Sequence, residues 1–233
     1  MAVDTLFIEA GNRDGFWYSG TVTGLTNLEY GGNQLPVFRN FTGPAPFETI
    51  WSKSFMIFDG LNPDIPIISA YLNEYGSFDC SGGAYPDVVI ARIYGALVPD
   101  VIVPISSATY VGTLPRTVSQ VDWTWVETDG CSGTVVTSPN IASILNEVRQ
   151  QVGFTQDSLF ILRVEFISTT IPAMFNGRGF YDFESAAVPY LVITTPSGRP
   201  KIRINDEKSP IDLTEVSDIA VDDITIGDRP IRP

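Results

Sequence analysis

The chain has 233 residues, of which 44% are hydrophobic, and this length and composition predict one large folded domain with a packed core. Its net charge of −13 and pI of about 4.2 disfavour contact with phosphate backbones, so we expect no nucleic-acid partner. Histidine is absent, which excludes Ser-His-Asp and Cys-His catalysis and any His-ligated metal.

No apolar run reaches the roughly 18 residues that a membrane-spanning helix needs. The start, Met1 to Thr5, lacks the basic and apolar stretches of a signal peptide. We therefore expect synthesis in the cytoplasm and no membrane partner.

Residues 1–50 are rich in glycine, asparagine and aromatic residues, which predicts irregular strands and long turns. The segment from Phe41 to Phe47, FTGPAPF, is aromatic and proline-rich, and we interpret it as a docking loop. From residue 54 onward, runs of β-branched and aromatic residues alternate with turn clusters at roughly 8 to 12 residue spacing, which predicts an all-β sandwich or barrel.

Two strands indicate which residues face the core. In the segment from Leu159 to Phe166, the even positions are apolar, whereas Arg163 and Glu165 share the other face, which we expect to be solvated with an ion pair between them. In the segment from Ser119 to Trp125, Trp123 and Trp125 point the same way. Inward packing is the favoured interpretation for Trp123, and for Trp125 packing and sugar stacking both stay open.

The two cysteines, Cys80 and Cys131, lie in similar loops, FDCSGG and DGCSG. The strand order predicts both loops at the same end of the sandwich, where a disulfide becomes geometrically feasible. Two inert loop thiols are the alternative. No basic neighbour or histidine activates either thiol, so a reactive or metal site is disfavoured.

One helix is predicted. Thr137-Ser138-Pro139-Asn140 supplies a capping sequence, and apolar residues then recur at helical spacing from Ile141 to Val152 before Gly153. Residues 197–233 are rich in charge and proline, with short apolar patches, which predicts an extended C-terminal arm that becomes ordered on another subunit. The predicted contacts on this arm are Ile219, Val221, Ile224 and Ile226.

Several segments of residues 50–195 resemble, in order, the disaggregatase-related (DNRLRE-type) jelly-roll family. They are SKSFMIFDGLNPDIPIISAYL (52–72), VVIARIYGAL (88–97), LPRTVSQVDWTW (114–125), TSPNIASILNEVRQQVGFTQDSLFIL (137–162) and FESAAVPYLVIT (183–194). The resemblance implies a carbohydrate-module-like jelly roll, of a kind found in bacterial and archaeal surface proteins and in virion proteins of tailed phages. It supplies no catalytic motif.

The expected fold is therefore all-β: an antiparallel β-sandwich (jelly roll) over residues 1–196 with one short α-helix, followed by the arm at 197–233. The favoured function is non-enzymatic: a virion structural protein of a tailed phage, either head decoration (cement) or a tail or fibre component. It would be made in the host cytoplasm and would bind other virion proteins or copies of itself, as a homo-oligomer.

The alternative function is a carbohydrate-binding module of a surface or secreted protein. Its stacking candidates are Tyr71, Tyr75, Tyr94, Trp123 and Trp125, with Tyr75 and Trp125 favoured. No cofactor is expected. Ca²⁺ is a lesser alternative that would use Asp79, Asp87 and Asp129, because Ca²⁺ takes oxygen ligands from flexible loops.

An enzyme is the least favoured interpretation. A carboxylate pair for glycoside hydrolysis could come from Asp182 and Glu184, or from Asp122 and Glu127. Nothing in the sequence selects these residues over a solvated strand edge, so no catalytic residue is predicted.

Overall fold

A computed structural model describes residues 1–8, 13–20, 26–29, 35–42, 48–77, 88–101, 108–126, 128–129, 131–169, 175–180, 188–196, 203–204, 225–226 and 229–230. For residues 16–20, 26–29, 35–42, 48–52, 108–110, 169, 175–179, 203–204, 225–226 and 229–230, the structure describes the backbone alone. The strands and helices below all lie in this part of the chain.

Two antiparallel sheets pack face to face and confirm the predicted β-sandwich. The four-stranded sheet has the order β1-β12-β6-β9, formed by Ala2–Phe7, Tyr190–Thr195, Ser69–Tyr75 and Val135–Thr137. The larger sheet has the order β11-β4-β5-β10-β7-β8, formed by Phe175–Phe180, Leu35–Thr42, Glu48–Phe58, Phe160–Thr169, Val89–Ala96 and Arg116–Trp125. Beside β5 lie β2 (Asp14–Gly20) and β3 (Thr26–Glu29).

The main core lies between the sheets, where the inward positions of each strand meet. Leu72, Leu191 and Ile193 of the smaller sheet and Phe58, Phe160 and other side chains of the larger sheet are almost fully buried in one apolar cluster. Phe58 and Phe160 stack at 5.8 Å between ring centroids. Alternation of apolar residues along β10 predicted this face correctly.

The other face of β10 is not solvated, and this prediction was wrong. Arg163 and Glu165 are 0% and 4% exposed, respectively. A second apolar cluster covers part of this face, and it includes Val111 of helix α1 (Ala108–Thr113), which the sequence did not predict, together with Leu114. These residues lie far from β10 in sequence, so alternation within β10 cannot reveal them.

The predicted ion pair on this face does form. Glu165 Oε1 accepts from Arg163 Nη2 at 2.6 Å and from Arg116 Nη2 at 2.9 Å, and Lys53 Nζ lies 3.2 Å from Glu165 Oε2. The Arg116 guanidinium also lies over the ring of Tyr94, 4.7 Å from its centroid. The Glu165 carboxylate therefore forms ion pairs with three side chains, those of Arg163, Arg116 and Lys53.

Helix α2, Ala142–Arg149, packs against β8, β7 and β6. Gly95 of β7 permits this close approach, because a Cβ there would lie 2.6 Å from Val148 Cγ2 and 3.0 Å from Ile144 Cγ2. On the polar side, the Glu147 carboxylate accepts hydrogen bonds from the backbone N–H groups of Val118 and Ser119 in β8. The helix is thus fixed to the sandwich by both of its sides.

The observed helix is shorter than the predicted one. Ser138 does not cap it, because its Oγ accepts a hydrogen bond from the N–H of Leu72 in β6. Asn140 Oδ1 instead accepts from the N–H groups of both Ala70 and Ala142, which links the helix start to the sheet. Val152, predicted on the apolar face, lies in a turn after the helix and is exposed.

The chain forms two compact units, Ala2–Thr195 and a second unit of Met1 with Pro196–Pro233. In the second unit, β13 (Arg203–Ile204) pairs in parallel with β14 (Thr225–Ile226), which pairs antiparallel with β15 (Arg229–Pro230). The predicted division into a sandwich at 1–196 and an extended arm at 197–233 stays a prediction.

Candidate functional site

The outward face of the four-stranded sheet is a continuous surface built from the described strands β1, β12, β6 and β9. Register between the strands places its outward residues in rows, one of which runs from Phe7 through Tyr190 and Asn73 to Thr137. The next row contains Thr5, Val192 and Tyr71. The residues between them in sequence, such as Leu191 and Leu72, are buried, so these rows face away from the core.

Aromatic rings form a connected group on this face. Phe7 and Tyr190 lie 5.8 Å apart between ring centroids, and Tyr75 and Tyr190 lie 6.1 Å apart. Phe7 is 53% exposed and Tyr71 is 37% exposed, so these rings reach solvent. Partial burial, with a contribution from Tyr75, raises the pKa of the Tyr190 hydroxyl above its usual range. The Tyr190 hydroxyl therefore stays neutral at physiological pH.

No outward residue of these four strands carries a charge. They are Val3, Thr5 and Phe7 of β1, Tyr190, Val192 and Thr194 of β12, Ser69, Tyr71, Asn73 and Tyr75 of β6, and Val135 and Thr137 of β9. Asn73 is buried among them, where its Oδ1 accepts a hydrogen bond from Thr137 Oγ1 at 2.7 Å and its Nδ2 donates to the Tyr71 carbonyl. In a chain with a net charge of −13, this face is a neutral surface of rings, methyl groups and hydroxyls.

Strand β1 forms one border of the neutral face. It pairs with β12 on one side, from Ala2 opposite Thr195 to Phe7 opposite Tyr190, with no shift of register. Within the described part of the chain, no strand pairs with its other side. Every residue of β1 except Leu6 is exposed, as expected of a strand at the edge of a sheet.

The structure corrects one favoured stacking candidate. Trp125 is 0% exposed, because its ring packs against Trp123 and Phe180 with centroids 5.1 Å away in each case. Trp123 is buried as expected, and Tyr94 is buried beneath Arg116. Of the predicted aromatic residues, Tyr75 and Tyr71 are the ones that lie on the neutral face.

Sequence reasoning missed Phe7 and Tyr190. The signal was present in the alternation of Tyr190-Leu191-Val192-Ile193, in which the tyrosine shares a face with Val192, and in Thr5-Leu6-Phe7. What the sequence could not show is that β1 and β12 are neighbours, since 182 residues separate Phe7 from Tyr190 at positions 8 to 189.

Cys131 is disulfide-bonded. It lies in a turn in which its carbonyl accepts hydrogen bonds from the N–H and Oγ1 of Thr134. Cys80, the other cysteine of the sequence, lies outside the described residues, so its pairing with Cys131 stays a prediction.

Most of the predicted assembly contacts cannot be placed. Phe47, Ile219, Val221 and Ile224 lie outside the described residues, and for Phe41 in β4 and Ile226 in β14 only the backbone is described. Among the weaker candidates, Asp79, Asp87, Glu127, Asp182 and Glu184 are also outside.

The remaining acidic candidates have structural partners. Asp129 Oδ2 accepts a hydrogen bond from the N–H of Val126 within its turn, and Asp122 forms a bidentate pair with Arg92. Among the described residues, no group of three or more acidic or cysteine side chains is arranged to hold a metal ion.

Comparison with known proteins adds no assignment. No protein-family model matches the sequence, and no curated protein matches it. In the described part of the chain, no helix is both long and apolar enough to cross a membrane. The resemblance to the DNRLRE-type family stays a prediction.

Proposed function

We propose that this chain is a non-enzymatic structural protein of a tailed-phage virion, which acts through contacts with other virion proteins or with copies of itself. The observation that carries the proposal is the neutral face, bordered by the edge of β1 that no described strand covers. A protein with a charge of −13 repels other acidic proteins, and this repulsion is weakest at an uncharged surface. Because the neutral face is also partly aromatic, a partner that binds there buries apolar side chains.

The resemblance of residues 50–195 to jelly-roll domains of phage virion proteins supports this class. The charge-rich segment at 197–233, which carries short apolar patches, would add contacts to a neighbouring subunit. Its predicted contact residues stay part of this proposal. Head decoration, cement and tail or fibre roles all use such contacts.

A carbohydrate-binding module is the second candidate, and the rings of Phe7, Tyr71, Tyr75 and Tyr190 are the observation that favours it. Aromatic rings on an exposed sheet face can stack on the C–H faces of pyranose sugars, and the hydroxyl and amide groups between them can bind sugar hydroxyls. The neutrality of the face suits an uncharged polysaccharide as well as a protein.

One experiment separates the two candidates. We expect the full chain to migrate unretarded in native gels that contain soluble polysaccharides, and Tyr71→Ala to leave that mobility unchanged. Val118→Ala is the matched control, since Val118 is an exposed residue of β8 in the other sheet. Retardation by one polysaccharide that Tyr71→Ala abolishes and Val118→Ala preserves would replace the virion proposal with the carbohydrate one.

A further inference from the structure

Strand β1 has the features of an edge that pairs with another strand. It is regular over Ala2–Phe7, a length of roughly 20 Å at about 3.4 Å per residue. Sheet edges that must stay single usually carry lysine, proline, a bulge or an inward-pointing charge, and of these β1 has only the inward-pointing carboxylate of Asp4. Its one charged residue is Asp4, which points towards the inner side of the sheet with Leu6.

The sequence of β1 is suited to pairing with a second copy of itself. In an antiparallel pair, residues directly opposite one another share a face. A two-fold axis perpendicular to the sheet must therefore lie midway between one residue and its own copy. The two registers that pair the most residues place this axis at Thr5 or at Asp4.

These two registers differ in which side chain lies opposite Asp4. An axis at Asp4 places two carboxylates directly opposite each other, about 5 Å apart, which is unfavourable. An axis at Thr5 places Val3 opposite the partner's Phe7, Thr5 opposite the partner's Thr5 and Asp4 opposite the partner's Leu6. Val3 and Phe7 are 63% and 53% exposed in the single chain, so this register covers exposed apolar side chains on the outer face.

We propose that two copies of this chain associate through antiparallel pairing of β1 with its copy, centred on Thr5, to form one continuous eight-stranded sheet. This inference rests on the proposed function, because it supplies the self-contact that an assembly protein needs. The two neutral faces then join into one surface twice as wide. Repulsion between the two acidic chains opposes the contact, so added salt strengthens it by screening.

The first test is sedimentation velocity of the full chain at several concentrations. We expect a species of twice the chain mass of 25.5 kDa whose fraction rises with concentration and salt. Thr5→Lys should weaken the association at least tenfold, because it places two ammonium groups opposite each other at the axis. Val135→Lys is the matched control: it makes the same charge change at an exposed residue of β9, the far edge of the sheet, and should leave the association unchanged.

The second test fixes the register by oxidative cross-linking. Thr5→Cys should form a covalent dimer that is visible on a non-reducing gel. Val3→Cys should not form one. Val3 is exposed but lies opposite the partner's Phe7, so the two introduced cysteines are too far apart for a disulfide. A chain that sediments as a monomer under all conditions, a dimer that survives Thr5→Lys, or preferential linking through Val3→Cys would overturn the inference. A chain that is incorporated into virions yet is monomeric alone would overturn this inference and leave the proposed function standing.

Discussion

Glu165→Gln is expected to lower the free energy of unfolding by about 3 kcal/mol, the scale on which a broken buried ion pair destabilises a protein. The substitution keeps the shape of the side chain and removes the charge that Arg163, Arg116 and Lys53 share. Most of the cost arises at Arg163, whose side chain is fully buried, since Arg116 and Lys53 keep partial contact with water. Burial already lowers the pKa of Arg163, and the charge of Glu165 opposes that effect.

Urea unfolding of the wild type and the variant measures this loss. Asp122→Asn is the matched control, because it removes the carboxylate of the Arg92–Asp122 pair, which lies on the same sheet but is partly exposed. An exposed pair contributes about 0 to 1 kcal/mol. Equal losses for the two variants would contradict the assignment of Glu165 as the charge centre of this face.

Glu74→Gln is expected to remove a strong pH dependence of stability. Glu74 is 1% exposed on the inward side of β6, and burial raises the pKa of its carboxyl from 4.5 to about 8. The folded state therefore prefers the protonated form. The stabilisation is complete below about pH 4.5 and is lost as pH rises towards 8, by an amount on the order of 4 kcal/mol.

The measurement is the difference in unfolding free energy between Glu74→Gln and the wild type from pH 5 to pH 9. Taking the difference cancels the titration of the other carboxyl groups. The two proteins should be nearly equally stable at pH 5, and the variant should be more stable at pH 9 by several kcal/mol. A difference that does not change with pH would show that Glu74 ionises normally in the folded chain.

The β-sandwich was predictable because each strand has its own local sequence pattern. Alternation along β10 places that strand and its core face without reference to partners, and the β-branched residues of β7 place that strand. The helix was predictable from the spacing of Ile141, Ile144, Leu145 and Val148, although its start was not, since Ser138 and Asn140 bond to β6 rather than acting only within the helix.

What the sequence did not reveal depends on contacts between distant segments. Arg163 and Glu165 were expected in water because charge usually marks an exposed face, yet Val111 and Leu114 help to cover that side of the sheet. Helix α1 itself, ATYVGT, is rich in β-branched residues and glycine, which do not predict a helix.

Only some residues of the candidate site were predicted from the sequence, for the same reason. Tyr75 was identified from its residue type, whereas the neutral face exists because β1, β12 and β6 become neighbours. Trp125 was assigned to a site for its chemistry, and its burial against Phe180, which follows it by 55 positions, removes it. Side-chain chemistry thus indicated the kind of site, and topology decided which residues form it.

The central claim is that this chain is a component of a virion that works by contact, and the most direct measurement is its copy number in purified particles. Quantitative mass spectrometry of density-gradient particles, from a culture that expresses the chain, should find it at a constant ratio to the major capsid or tail protein in every preparation. The ratio should persist through further gradient steps. A chain that is found in the lysate or on the host surface but is absent from the particles would contradict the account.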